Sequence, residues 1–250
     1  ILGDLFDVWP GTTEYLKSTY HSVLEILQAL VKGGHELHYV EGNHDFRLGS
    51  YFTDELGISV HPNELVETWN GKKIYMAHGD LGNPKEYGYR VLRYALRRNL
   101  LQYAINTVPS EWVYKVGLKS SQFSRKYQTA VPTKSESQIR QIYRYTAEKI
   151  FSKGYDVVLM GHTHLPDDVS TIIDGRPCRY INTGDWVRNF TYLEFDGKEF
   201  YTAARNMSFD TSIALYPSDF VYFINDKEMM TSKELLQFIR YEKERGVGIS

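Results

Sequence analysis

The residue types that could do chemistry in this chain lie in four short polar blocks: Gly3-Asp4, Gly42-Asn43-His44-Asp45, His78-Gly79-Asp80 and Gly161-His162-Thr163-His164. Asp offers a hard oxygen donor able to bridge two cations, Asn a neutral carbonyl oxygen and His an imidazole nitrogen. A mixed oxygen and nitrogen set without thiolate favours Mn, Fe, Zn or Co. Two such ions roughly 3.5–4 Å apart can clamp a phosphate, lower the pKa of a bound water and stabilise both oxygens of a displacement. Taken singly, Gly3-Asp4 is an ordinary turn and His78-Gly79-Asp80 says little. Two His flanking one residue after an apolar run rarely serve packing, so Gly161-His162-Thr163-His164 is the strongest single block. The glycines beside the blocks, Gly3, Gly42, Gly79 and Gly161, let the backbone turn and approach a ligand with no Cβ in the way. His21, His35, His38 and His61 fall on helix or strand faces and read as structural or surface residues.

What must position these blocks is a set of alternating strands and helices. Ile1-Leu2 reads as the end of a buried strand. A helix is expected from about Thr13 to Lys32, capped by Thr12 or Thr13. It carries Leu16, Tyr20, Val23, Leu24 and Leu27 at helical spacing and stops at Gly33-Gly34. Alternation over Glu36–Val40 predicts a strand, and Glu64–Trp69 with Lys73–Ala77 predicts a hairpin across Asn70-Gly71. The stretch from Gly82 to Ile150 is predicted to be mainly helical, broken near Pro109 and Pro132, with a last helix from about Ser135 to Lys153. Asp156–Met160, Val169–Ile173, Arg179–Asn182 and Phe190–Phe195 are predicted strands. Each polar block follows a strand, and in an open α/β sheet the loops at the carboxyl ends of strands meet in one crevice.

Composition narrows the function classes. The 250 residues are 42% hydrophobic and 14% aromatic, which is ample to bury a core and excludes disorder. A single cysteine, Cys178, excludes a disulfide framework and a cysteine-rich zinc site and fits a reducing compartment. No run approaches ~18 apolar residues, so no membrane-spanning helix is expected. The net charge of −2 rules out a chain that coats nucleic acid uniformly. That charge is unevenly spread: Gly82 to Ile150 holds 13 Lys and Arg against 4 Asp and Glu, together with Tyr87, Tyr89, Tyr94, Trp112 and Phe123. A basic, aromatic segment suits nucleic acid, a membrane surface, or a ligand with an anionic head and an apolar tail; the plainer reading is a helical insertion with a solvated face.

The four blocks in this order resemble the signature of the calcineurin-like metallophosphoesterases, over about residues 1–204. Gly3-Asp4-Leu5-Phe6-Asp7-Val8-Trp9, the insertion after His78-Gly79-Asp80 and Gly184-Asp185-Trp186 are similar to the UDP-2,3-diacylglucosamine pyrophosphohydrolases of lipid A synthesis. The resemblance implies an α/β fold, a four-layer αββα sandwich with a helical cap over the metal cleft. Residues 1–81 and 151–204 would form the core, 82–150 the cap, and 205–250 an extension of unassigned role. It implies two divalent ions, Mn foremost with Fe, Zn or Co as alternatives. Asp4 would bridge them, with Asn43, His78 and His162 on the second ion and His164 on the first. His44 would sit beside the scissile phosphate and Asp45 would orient it through a hydrogen bond. Tyr89, Arg125 and Lys134 are the substrate contacts expected from the cap. The implied partners are a UDP-linked acylated sugar and an anionic membrane surface, not nucleic acid, and the implied location is cytoplasmic, peripheral on the inner membrane.

The chain departs from the family at one point. The Asp-x-His strand end that supplies two further ligands to the first ion has no counterpart upstream of Asp4. Either an N-terminal strand is missing from the sequence, which the absent Met favours, or the first metal site is impaired. As written, Asp4 and His164 alone would hold that ion. Two other functions remain open on the residues: a phosphoesterase of the same superfamily acting on nucleotide or protein phosphates, and a metal-poor scaffold. The intact Asn43-His44-Asp45 argues against the scaffold, which has no use for a histidine beside a phosphate. Ser232, Leu235, Leu236, Ile239 and Tyr241 predict a further helix near the C-terminus.

Overall fold

Val157, Val158, Leu159 and Met160 form a strand buried at every position, as required where both faces of a sheet are covered. Side chains alternate across a strand, and these divide accordingly. Val157 and Leu159 pack with Ile74, Met76 and Ile181, while Val158 and Met160 pack with Tyr143, Ala147 and Phe151. The computed structural model describes residues 1–97, 107–109, 111–117, 119, 134–185 and 189–204.

In chain order the described elements are α1 (Glu14–Thr19), α2 (His21–Lys32), β1 (His38–Val40), a single π-helical turn (Tyr51–Glu55), β2 (Ser59–His61), β3 (Glu64–Trp69), β4 (Lys72–Ala77) and α3 (Tyr87–Leu96). They continue with α4 (Glu136–Phe151), β5 (Val157–Met160), β6 (Asp167–Ile173), β7 (Arg176–Asn182), β8 (Thr191–Phe195) and β9 (Phe200–Ala204). A five-stranded sheet runs β3-β4-β5-β7-β6, parallel through β4, β5 and β7, with an antiparallel hairpin partner at each edge. β1 and β2 pair in parallel as a second, smaller sheet. Val40 of β1 turns to the cluster shared with the large sheet, and Tyr39 to the opposite cluster with Leu24 and Leu27 of α2. The layers are therefore α2, the small sheet, the large sheet and α4: an α/β sandwich in the order αββα. The β8–β9 hairpin adds Leu193 and Phe200 to the inner cluster.

Local sequence explains most boundaries. Thr13 caps α1 by accepting from the Leu16 amide. Ser135 and Gln138 form a reciprocal capping box at the start of α4, two orphan amides satisfied at once. Asn70-Gly71 joins β3 to β4 with both residues at positive φ, the backbone that a two-residue hairpin turn needs. The single helix expected over 13–32 is two helices. The break falls at Tyr20, whose ring enters an aromatic cluster with Phe6 at 4.8 Å, Trp9 at 6.0 Å and Tyr114 at 6.3 Å. The π-helical turn and β2 were not legible from pattern.

Of the basic middle segment, α3 has no buried residue, and its Tyr87, Val91 and Tyr94 are exposed. Residues 111–117 are helical and reach the core at Gly117, whose Cα faces Val8. Tyr114 reaches it too, 5.6 Å from Tyr15 between ring centroids. Arg125, Pro132, Trp186 and the helix expected around Ser232 lie outside the described residues. No helix among the described residues is long and apolar enough to cross a membrane.

Leu159 is fully buried at the centre of this packing. Leu159→Ala removes buried methyl groups and leaves a cavity, so an unfolding free energy lower by about 2–5 kcal/mol is expected in urea melts. A change under about 1 kcal/mol would contradict the placement of β5 at the middle of the core.

Candidate metal centre

The core brings the four polar blocks to one place. Ile1 runs beside β1, its carbonyl accepting from the Val40 amide at 2.9 Å, so Gly3-Asp4 and Gly42-Asn43 leave neighbouring chain ends. β4 and β5 are parallel neighbours in register, Ala77 opposite Met160. The blocks that follow them are consequently adjacent, with the Gly161 amide donating to the His78 carbonyl at 2.9 Å. Asp4, His162 and His164 all have left-handed backbones, φ +54°, +65° and +59°. Non-glycine residues adopt that region at a cost, and such strain concentrates at functional sites. At the closest approach a glycine is indispensable: a Cβ on Gly42 would lie 2.1 Å from Asp4 Oδ1, and one on Gly3 would lie 2.6 Å from the Gly42 Cα. Gly161 does not play the part expected of it, since a Cβ there meets nothing closer than 3.6 Å.

His78 is the hub. Its Nδ1 lies 2.7 Å from the Leu2 carbonyl oxygen. A carbonyl can only accept, so Nδ1 carries the proton and a neutral ring presents a lone pair at Nε2. That lone pair faces Asn43 Oδ1 at 3.0 Å, Asp4 Oδ2 at 3.2 Å and His162 Nδ1 at 3.1 Å. Two of these three are acceptor-only oxygens. An acceptor nitrogen pressed against them in a buried site is repulsive unless a cation sits among them. Adjacent ligands about 2.1 Å from one octahedral ion are separated by about 3.0 Å, the spacing seen here. The donor atoms of Asp4, His78 and His162 lie within 4.8 Å of one another. These residues fit a divalent ion. Asn43 adds a fourth donor.

Electrostatics agree. Burial acts to raise the Asp4 carboxyl, but the positive charge that His78 carries when protonated, that of His44 and the His44 amide hydrogen bond outweigh it and hold the group below the usual carboxylate range. Burial pushes the His162 imidazole down to about 4, and the charge of a protonated His78 adds to the effect. At neutral pH the centre therefore offers an anionic oxygen and an unprotonated imidazole, the forms that bind metal. His164 lies outside the convergent set; its ring is exposed and its carbonyl accepts from Asn189 at 2.9 Å.

Two expected roles change. Asp45 does not orient His44. Its carboxylate is wholly buried and accepts from the amides of Asp4 (2.8 Å), Gly42 (2.9 Å), Leu5 (2.6 Å) and Phe6 (3.2 Å), and from the Tyr39 hydroxyl. The His44 ring is held instead by the Asp7 carbonyl, 3.1 Å from Nδ1. A carboxylate ringed by amide donors has no capacity left for an imidazole, whereas a nearby carbonyl does. Tyr89 meets the third loop: its hydroxyl donates to Asp80 at 2.5 Å, so the group expected to touch substrate is engaged by a protein carboxylate. Lys134 is exposed ahead of α4.

Sequence reasoning missed how α3 meets the site. Tyr89, Arg93 and Arg97 recur every four residues, hence along one helix face. Arg93 pairs with Asp80 at 2.8 Å and Arg97 with Glu41 at 2.8 Å, both carboxylates buried. Asp80 and Glu41 lie two residues from His78 and Asn43. Arg97 also donates to the Gly42 carbonyl at 3.2 Å. The 89–93–97 spacing was the available signal. Behind the second loop lies an open cleft of about 820 Å³ lined by Lys17, Glu41, Arg47, Tyr51 and Arg97 among others; Asp4, Asn43, His78 and His162 are not in its lining.

Gly42→Ala is expected to displace the Asp4 carboxylate and weaken Mn²⁺ binding at least ten-fold by titration calorimetry; unchanged affinity would contradict the close approach. A second expectation concerns acid. The unfolded chain protonates His162 near pH 6.5 and the folded chain only near 4. Stability present above pH 6.5 is accordingly lost as pH falls toward 4, and His162→Asn should lose less over that window in metal-free urea melts.

Residues 1–166 match the family model described as calcineurin-like phosphoesterase. Curated relatives include a UDP-2,3-diacylglucosamine hydrolase of Pseudomonas putida strain F1, 29% identical over 81% of this chain and 83% of that protein. The protein of the same name from Pseudomonas aeruginosa strain UCBPP-PA14 is 30% identical over 78% and 80%. A third, from Psychromonas ingrahamii, is 25% identical over 84% of each chain. With two thirds of its length matched and the donor set of a divalent-metal centre gathered at its strand ends, the chain belongs to the calcineurin-like phosphoesterase family and is a phosphoesterase.

Proposed function

We propose that this phosphoesterase hydrolyses the pyrophosphate bond of UDP-2,3-diacylglucosamine, releasing UMP and 2,3-diacylglucosamine 1-phosphate. The observation that carries the reading is the likeness to proteins named for that hydrolysis, at 29–30% identity and spanning about four fifths of both chains. Support also comes from a site whose donors are oxygen and nitrogen only, a set that suits the divalent ions used to hydrolyse phosphoric anhydrides.

Bound divalent ions, Mn²⁺ foremost, would supply Lewis-acid activation of water and neutralise charge at phosphorus. Asp4, Asn43, His78 and His162 would hold them, with Asp4 shared and His164 on the first. The chain's own part is positional. Leu2 fixes the His78 tautomer that leaves Nε2 unprotonated, and Asp45 holds the Asp4 loop. With Nδ1 of His44 committed to the Asp7 carbonyl, Nε2 is the ring atom left to meet substrate, where it would stabilise charge or deliver a proton to the departing phosphate. The phosphorus next to uridine is the expected point of attack, in line with departure of the diacylglucosamine phosphate. Residues 82–135 would form a cap whose Lys, Arg and aromatic side chains meet the anionic head and acyl chains, with Tyr89, Arg125 and Lys134 as candidate contacts; α4, expected in the cap, packs instead on the large sheet as a layer of the sandwich. For Tyr89 that contact requires release from Asp80. The exposed Tyr87, Val91, Leu92 and Tyr94 of α3 would also face a membrane surface from the cytoplasmic side.

The assay is purified protein with Mn²⁺ and UDP-2,3-diacylglucosamine, following UMP. Release of UMP is expected; turnover of soluble nucleotide phosphates or phosphopeptides with none of the lipid-linked substrate would favour a different phosphoesterase. His44→Ala should lower kcat at least about 100-fold while metal content is retained, and unchanged turnover would remove His44 from the mechanism. Asp4→Ala should lose both metal and activity.

A further inference from the structure

We infer that the Tyr39 hydroxyl is a positioning group for the metal ligand Asp4, acting through Asp45; the inference rests on the reading of Asp4 as a ligand. Tyr39 is the middle residue of β1 and is wholly buried, its ring set edge-on against Phe52 at 5.9 Å between centroids. A tyrosine there contributes nothing to packing that phenylalanine would not. Its hydroxyl donates to Asp45 Oδ2.

Asp45 ties the second loop to the first. Oδ1 accepts from the amides of Asp4 and Gly42, and Oδ2 from those of Leu5 and Phe6. The Asp4 carboxylate answers by accepting from the His44 amide at 2.9 Å. Asp4 keeps a left-handed backbone at φ +54° while Oδ2 faces His78 Nε2 at 3.2 Å. Four of the five donors to Asp45 are backbone amides, fixed by chain path. Tyr39 supplies the side-chain donor, and it comes from the adjacent strand rather than from either loop. It thus sets the rotation of the Asp45 carboxylate about its own axis, and through three consecutive amides the placement of Asp4. Removing the hydroxyl leaves a buried carboxylate oxygen short of one donor, which it recovers by turning away from the amides that hold Asp4.

The test measures Mn²⁺ affinity of the full chain by the electron paramagnetic resonance signal of free Mn²⁺, for wild type, Tyr39→Phe, Asp45→Asn and the double variant. Tyr39→Phe is expected to weaken Mn²⁺ binding about ten-fold, the low end for residues that orient a ligand. Its KM at saturating Mn²⁺ should stay at the wild-type value. The double variant should bind no more weakly than Asp45→Asn alone, because both changes act on one contact. Wild-type affinity in Tyr39→Phe overturns the inference, as does full additivity in the double variant. Should Tyr39→Phe fail to fold, Asp45→Asn carries the test, since it keeps the shape and replaces an acceptor by a donor facing amides; wild-type affinity there overturns the inference. A wild-type chain that binds no Mn²⁺ fails at the prior step, the reading of Asp4 as a ligand.

Discussion

The arrangement of the site turns on one ring nitrogen, His78 Nε2. Because the Leu2 carbonyl holds the proton of this ring on Nδ1 at 2.7 Å, Nε2 meets the Asp4 and Asn43 oxygens as one acceptor among others, with His162 Nδ1 at similar range. Acceptors gathered in a buried space repel one another, and the free energy to hold them there comes from the fold. β4 and β5 fix His78 and His162 through parallel register, and β1 with the Ile1 segment fixes Asn43 and Asp4. A cation converts the same repulsion into coordination, which is why such a cluster is stable as a holoprotein and costly without its ion.

Around this hub the protein spends polar groups rather than apolar ones. Asp45, Asp80 and Glu41 are carboxylates with little or no exposure, and each is matched: Asp45 by backbone amides and the Tyr39 hydroxyl, Asp80 by the Tyr89 hydroxyl and an ion pair with Arg93, Glu41 by Arg97 and the Leu48 amide. Breaking a buried pair from one side leaves an uncompensated charge, so these contacts make the loops stiff. Two of the three tie the loops to α3. α3 is thereby anchored, through Arg93 and through Arg97 at its end, to the loops that carry Asn43 and His78.

Much of this was legible in the sequence. Asp4, Asn43, His78 and His162 follow apolar runs with turn residues, and the rule that loops at strand ends converge was enough to bring them together. The hairpin at Asn70-Gly71 and the helix start near Ser135 are local signals and fall where expected. Asp45 was misjudged because its partners are backbone amides some forty residues away. Side-chain type advertises a role for a carboxylate next to a histidine, while amide donors leave no trace in sequence. The break at Tyr20 was hidden for a related reason. Its helical spacing is good, and only the aromatic cluster with Phe6 and Trp9 reveals why the helix turns there. The α3 spacing of Tyr89, Arg93 and Arg97 was present but went unread within a segment taken as a whole to be ligand-facing or solvated, since nothing local shows that Asp80 and Glu41 lie opposite.

The most direct measurement is anomalous diffraction from crystals of the full chain grown with Mn²⁺. The account predicts an anomalous peak within coordination distance, about 2 Å, of Asp4 Oδ2, Asn43 Oδ1, His78 Nε2 and His162 Nδ1 together. A strong peak elsewhere, with these four atoms at their present spacing and no ion among them, would contradict it.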